Sequence, residues 1–160
     1  MARISRMPGH LVRRYHQITV AIFMNAVGKA GFDLTPVQFA TLATTSDHPG
    51  IDQATLAGLI AYDRNTIGGV VDRLVRKGHL RRTVSKRDRR ARQLQLTAQG
   101  EDVLRKVTPI VDKVQGEMLA GLSSAEADQL VSLLGKVTES ANGLSRAPLR
   151  PIPEDQNAMA

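Results

Sequence analysis

Seven consecutive positions, Lys86-Arg87-Asp88-Arg89-Arg90-Ala91-Arg92, hold five basic residues and one acid. On a hairpin tip such a run suits contact with a polyanion, though taken alone a solvated loop is the commoner use, and its neighbours decide between the two. Upstream, Arg64, Asn65 and Thr66 have side chains suited to base edges. Arg can bond guanine, Asn can bond adenine through both amide atoms, and Thr offers a hydroxyl or a methyl contact to thymine. Gly68 and Gly69 follow, each costing a helix about 1 kcal/mol relative to Ala; close approach of backbone to DNA or crowding in a core would each account for them. Arg73, Arg76 and Lys77 can meet phosphates or pair with Asp72. Lys86, Arg87 and Arg92 suit phosphate or bracing contacts, which position a protein without specifying sequence. Asp88 reads as a clamp on neighbouring arginines, and Asp63 as a helix cap.

The elements that must position these groups can be read from the pattern around them. Leu11, Tyr15, Ile18, Ile22 and Ala26 recur at helical spacing and predict a first helix over about residues 10–29. Thr35-Pro36-Val37-Gln38 is a capping-box start for a second helix ending near Asp47. Asp52 caps a third helix and Asp63 a fourth, which Gly78 stops. Two short helices separated by a few residues match a helix-turn-helix. Leu80 to Val84 and Gln93 to Thr97 read as strands flanking a wing over Ser85 to Arg92. Thr97 caps a long helix from Ala98, in which Pro109 predicts a bend. Ser123-Ser124-Ala125-Glu126 starts a last helix, and the tail beyond Gly143 is Pro-rich and expected to be mobile or draped on a partner. The fold class is therefore mainly α with a small β-hairpin wing. The expected organisation is a dimerisation helix over 1–33, a winged helix-turn-helix over 34–100, dimerisation helices over 101–143 and a flexible tail over 144–160.

Charge and composition agree. The chain has 160 residues and a formal net charge of +7. Tyr62 to Arg92 carries 11 Lys/Arg against three Asp, so this block holds all the positive excess. Cysteine is absent, which excludes disulfides, thiolate catalysis and Cys-based zinc sites. No apolar run approaches the ~20 residues that span a bilayer, and the N-terminus lacks the apolar core of a signal peptide. A cytoplasmic chain with no membrane partner is expected. His10, His16, His48 and His79 form no HExxH spacing and no Gly-rich phosphate loop is present, so neither an enzyme nor a bound cofactor or metal is expected.

Three segments carry a family resemblance: Leu34-Thr35-Pro36-Val37-Gln38-Phe39; Ala57 to Ile67; and Asp88-Arg89-Arg90-Ala91-Arg92 followed by Leu94, Leu96-Thr97 and Gly100. Together they resemble the MarR family of winged helix-turn-helix regulators, over roughly Leu11 to Leu134. Tyr62 and Asp63 depart from the family, in which a small apolar residue and a Ser are more usual. The resemblance implies an obligate homodimer with interlocking chain ends, one winged head per half-site of a palindromic double-stranded operator, and repression as the default outcome. It places an arginine from the Arg89-Arg90 region, Arg90 by our reading, in or beside the minor groove, where a narrow A·T-rich tract attracts such a side chain. It also implies a small effector, often an aromatic acid or phenol, between the dimer helices and the head. On the first helix, His10, Arg14, Tyr15, His16 and Thr19 form the candidate pocket, and a hydroxylated aromatic or pyridine carboxylate is the expected ligand class. Tyr15 lies on the apolar stripe, where core is the commoner role than ligand contact, as solvation is for Arg14 and His16. A sequence-nonspecific architectural DNA protein would use the same charge. A module binding an acidic protein would leave the wing and the polar helix start unexplained.

Overall fold

The computed structural model describes residues 3–84 and 92–152. Lys86, Arg87, Asp88, Arg89 and Arg90, assigned above to the wing, lie outside the described residues. Six helices and one hairpin follow in order: α1 (Pro8–Lys29), α2 (Pro36–Asp47), α3 (Gln53–Leu59), α4 (Arg64–Arg76), β1 (Leu80–Val84), β2 (Arg92–Leu96), α5 (Ala98–Met118) and α6 (Ser124–Ser140). Single 3-10 turns at Arg3–Arg6 and Asn142–Leu144 flank them.

Local hydrogen bonding explains where the helices begin. The Thr35 hydroxyl accepts from the Gln38 N–H while the Gln38 side chain accepts from the Thr35 N–H, a complete capping box. Ser123 and Glu126 repeat it at α6. Asp52, Asp63 and Thr97 cap α3, α4 and α5. α4 stops at Gly78, whose φ of +74° favours a residue without a Cβ. There the N–H groups of Gly78 and His79 close back on the Val75 and Leu74 carbonyls.

Two apolar clusters meet on α4. One joins Phe23 and Val27 of α1, Leu42 of α2, Val70 and Leu74 of α4, Leu80 of β1 and Val107 and Val111 of α5. The other joins Ile51, Leu56 and Ala57 around α3 to Ile67 and Val71 of α4 and Leu94 of β2. The fourth helix is thus gripped from two sides, which fixes the direction of its exposed edge. β1 and β2 are antiparallel with Leu80 opposite Leu96 and Arg82 opposite Leu94.

Several expectations are corrected. The first helix begins at Pro8, because a proline at the first turn loses no intrahelical bond. The second strand runs from Arg92 to Leu96, so Arg92 is a strand residue opposite Val84, and Thr97 leaves the strand to cap α5. An isolated bridge of Asp52 with Gln93 adds a third partner to the hairpin, with the Gly50 and Leu94 N–H groups donating to the Leu94 and Ile51 carbonyls. Pro109 lies inside α5 as expected, and both it and Arg105, whose carbonyl loses its partner, are exposed. The tail is anchored over its described part. The Asn142 amide brackets Leu149, bonding its carbonyl and its N–H, and the Arg150 N–H donates to the Gly58 carbonyl at 2.9 Å.

Apolar side chains remain uncovered on α6, where none is buried: Val131, Leu133, Leu134 and Val137 are exposed. Ile4, Met7, Leu11, Val12 and Ile18 are exposed at the other end of the chain. No helix among the described residues is long and apolar enough to cross a membrane.

Candidate nucleic-acid interface

The start of α4 is built by one repeated device. Asp63 accepts from the Thr66 N–H at 2.9 Å, and the Thr66 hydroxyl donates to its other carboxylate oxygen at 2.5 Å. Asp52 and Thr55 do the same at the start of α3, at 3.0 and 2.6 Å. The two helices of the helix-turn-helix therefore share the pattern Asp-x-x-Thr, a signal present in the sequence that our reading of single caps passed over. The Asp63 carboxyl is held below the ordinary carboxylate range, first by the Thr66 hydroxyl, then by the Thr66 and Asn65 N–H groups and last by the charge of Arg146. Because the Thr66 hydroxyl proton goes to Asp63, its methyl and oxygen lone pair are what it can offer a ligand.

Between the helices the chain reverses at Ala61, whose φ of 53° is left-handed in a residue with a Cβ. Such a conformation costs roughly 1–2 kcal/mol. It is held by bonds from the Ala61 N–H to the Gly58 carbonyl and from the Tyr62 N–H to the Ala57 carbonyl. Arg64, Asn65 and Thr66 emerge exposed from this turn. Gly69 lies four residues beyond Asn65 and thus on the same face. An alanine methyl at Gly69 would meet nothing nearer than the Arg73 guanidinium at 4.0 Å, and one at Gly68 would meet the Gln53 amide at an ordinary 3.5 Å. Crowding in the core does not account for either glycine.

The remaining basic residues divide. Arg73 is exposed on α4 and Arg92 on β2. Lys77 is held at Asp33, its ammonium 2.6 Å from the carboxylate and 2.5 Å from the main-chain oxygen. That pair bridges 44 positions and gives Lys77 a partner within the chain. Asp72 pairs with Arg82 of β1 at 2.9 Å, not with a cation of its own helix. Arg82 and Arg81, whose guanidinium bonds Gln95 at 2.8 Å, were not singled out from sequence. Their partners lie on neighbouring elements, so no local spacing marks them.

The hairpin is locked to the end of α4 by the Leu-Thr-x-x-Gly step. The Thr97 hydroxyl donates to the Gly78 carbonyl and accepts from the Gly100 N–H at 3.0 Å. A Cβ at Gly100 would stand 2.0 Å from the His79 carbonyl oxygen, so only glycine lets α5 pass this close.

The five candidate effector residues are spread around α1 and are not gathered on one side. His10 and Arg14 share one face, Tyr15 and Thr19 another, and His16 lies further round. The Tyr15 hydroxyl donates to the Met118 carbonyl at 3.1 Å, tying α1 to the end of α5. The Thr19 hydroxyl donates to the His16 carbonyl. A cavity of ≈ 340 Å³ lies elsewhere, lined by Gly31, Phe32, Asp33, Leu34, Lys77, His79 and Val103. The Nδ1 atom of His79 is itself buried with no hydrogen-bond partner among the described residues, and burial, then the Lys77 charge, lowers the ring's pKa.

Comparison with known proteins follows the same lines. Residues 32–91 match a family model described as the MarR family. The chain is 35% identical over 105 residues to the transcriptional regulator HosA of Escherichia coli O157:H7, covering 66% of this chain and 78% of HosA. It is 30% identical over 137 residues to the HTH-type transcriptional repressor NicR of Pseudomonas putida, covering 86% of this chain and 85% of NicR. Its fold is similar to that of Bordetella bronchiseptica BpsR, whose structure addresses regulation of DNA binding by 6-hydroxynicotinic acid. That likeness has a TM-score of 0.79 and 29% identity, over 86% of this chain and 97% of BpsR.

Proposed function

Since the chain belongs to the MarR family, we propose that it is a sequence-specific regulator of transcription that binds palindromic double-stranded DNA as a homodimer. It acts as a repressor, released by a small hydroxylated aromatic or pyridine carboxylate. The observation that carries the reading is the exposed Arg64-Asn65-Thr66 edge, held at the start of a helix that two apolar clusters fix in place. A rigid helix start presenting base-reading side chains suits the major groove. Gly68 and Gly69 let the duplex come close, and Arg73 and Arg92 meet phosphates. From the basic run, Lys86, Arg87 and Arg89 add phosphate contacts, while Arg90 enters or flanks the minor groove.

The uncovered apolar faces of α6 and of the N-terminal segment favour pairing about a two-fold axis, since closed homodimers bury matching patches. Residues 1–33 and 101–143 form that dimerisation region, and 34–100 the DNA-binding head. For the effector, the class of 6-hydroxynicotinic acid, which regulates DNA binding by BpsR, supports a carboxylate ligand. Arg14 would supply the charge, with His10 on its face and Tyr15, Thr19 and His16 contributing from other faces of α1. NicR, named a repressor, supports the sign of the regulation.

The test is selection of bound duplexes from a randomised pool by the full-length protein, followed by titration of the winner with 6-hydroxynicotinic acid and benzoic acids. Enrichment of one inverted repeat, with loss of affinity on adding an acid, is expected. A pool that stays random would overturn the specific reading in favour of an architectural protein. Affinity insensitive to every acid would overturn the effector class alone.

A further inference from the structure

The segment after α6 does more than end the chain. It leaves the helix through the 3-10 turn Asn142–Leu144, and the Asn142 side chain then fastens Leu149 through two bonds of 3.0 and 2.7 Å. This loop sets the Arg150 N–H on the Gly58 carbonyl at 2.9 Å, one residue before the end of α3. The fit is close, since a Cβ at Gly58 would lie 3.1 Å from the Cβ of Arg150. The strap adds little apolar cover, because Leu144 and Leu149 remain exposed. What it brings to the turn of the helix-turn-helix is charge: Arg146 and Arg150 are both exposed, and the field of Arg146 reaches the carboxylate that caps α4.

We propose that the C-terminal strap is a second arm of the DNA interface, in which the Arg146 and Arg150 side chains contact phosphates beside the groove that α4 enters. The inference rests on the DNA-binding reading above and deepens it. The geometry separates anchoring from contact. Main-chain atoms of Arg150 and Leu149 and the amide of Asn142 hold the strap, so the two guanidinium groups are left for a partner. Phosphate is the chemistry they fit, since a guanidinium offers paired donors that match its oxygens. A duplex seated on Arg64 to Thr66 brings its backbone past the same turn. The strap then widens the footprint without reading further bases.

The experiment compares full-length wild type, the double variant Arg146→Ala/Arg150→Ala and the charge-keeping Arg146→Lys/Arg150→Lys. Each is titrated across a salt series against the pool-selected duplex and a random-sequence duplex, with thermal midpoints recorded alongside. Each lost phosphate contact lowers the salt slope by about 0.9, so the alanine pair is expected to lower it by roughly 2 per bound head. The loss should be equal on both duplexes, and the lysine pair should keep the wild-type slope. Asn142→Ala, which frees the strap but keeps both arginines, should lower the slope part of the way. Wild-type slope in the alanine pair, with wild-type protein binding normally, would overturn the strap as a DNA arm and leave the DNA-binding reading standing. Failure of wild type to bind either duplex would overturn both.

Discussion

Replacing Gly69 by alanine should move stability and DNA affinity in opposite directions. In the free protein the new methyl enters open space, with the Arg73 guanidinium 4.0 Å away as its nearest neighbour. Only the helix-propensity gain then operates, about 1 kcal/mol, which for a chain of this size raises the thermal midpoint by about 2–4 °C. In the proposed DNA complex the same methyl stands one helical turn beyond Asn65, on the face assigned to the groove. Forcing a methyl into a close-packed contact costs about 1–3 kcal/mol. At about 1.4 kcal/mol per tenfold, that is roughly a fivefold to hundredfold loss of affinity. Thermal melting followed by fluorescence anisotropy on the pool-selected duplex measures both. A variant that is stabilised and binds as well as wild type would refute close approach at Gly69. A destabilised variant would refute the claim that its surroundings are open.

Three further outcomes follow from named contacts. Gly100→Ala puts a Cβ 2.0 Å from the His79 carbonyl oxygen, so a large fall in the denaturant midpoint is expected; a change within error would show that the hairpin can move off α5. His79, with its folded pKa lowered by burial and then by Lys77, is neutral in the native state where the unfolded chain takes up a proton. Stability is full above the unfolded value near 6.5 and falls as pH drops from there toward the lowered folded value. Asp63, Asp33 and Glu126, with depressed pKa values, keep their contributions until pH falls below the ordinary carboxylate range and through their folded values. Urea midpoints across the range just below neutrality should therefore slope in wild type and flatten in His79→Leu; identical slopes would count against a role for the half-buried ring. Val137→Glu, on the uncovered face of α6, should turn a dimer into monomers in sedimentation velocity, and a variant that still dimerises would move the interface elsewhere.

What the sequence disclosed and what it concealed follow a physical division. Caps are local hydrogen bonds, so Thr35 with Gln38, Asp52, Asp63, Thr97 and Ser123 with Glu126 could be placed from neighbours alone, and the structure has each of them. The apolar period of α4 likewise announced which face is buried. Contacts between distant positions leave no such trace. Lys77 with Asp33, Arg82 with Asp72, Tyr15 with the Met118 carbonyl and Arg150 with the Gly58 carbonyl each join residues that no spacing relates. For the candidate site, helix position alone made the exposed placement of Arg64 to Thr66 at the start of α4 legible. The glycines were ambiguous until their surroundings could be examined, and the strap was hidden because prolines reveal little of where a tail returns. Side-chain type along one helix does not reveal facing, and α1 distributes the candidate effector residues over several faces.

The central claim is that exposed side chains at the start of α4 read a particular sequence. It is tested most directly by the ratio of dissociation constants for the pool-selected inverted repeat and a scrambled duplex of equal length, at one physiological salt concentration. The account predicts a ratio of at least about 10³, falling sharply in Asn65→Ala while affinity for the scrambled duplex is kept. A ratio near one, in wild type and variant alike, would contradict it.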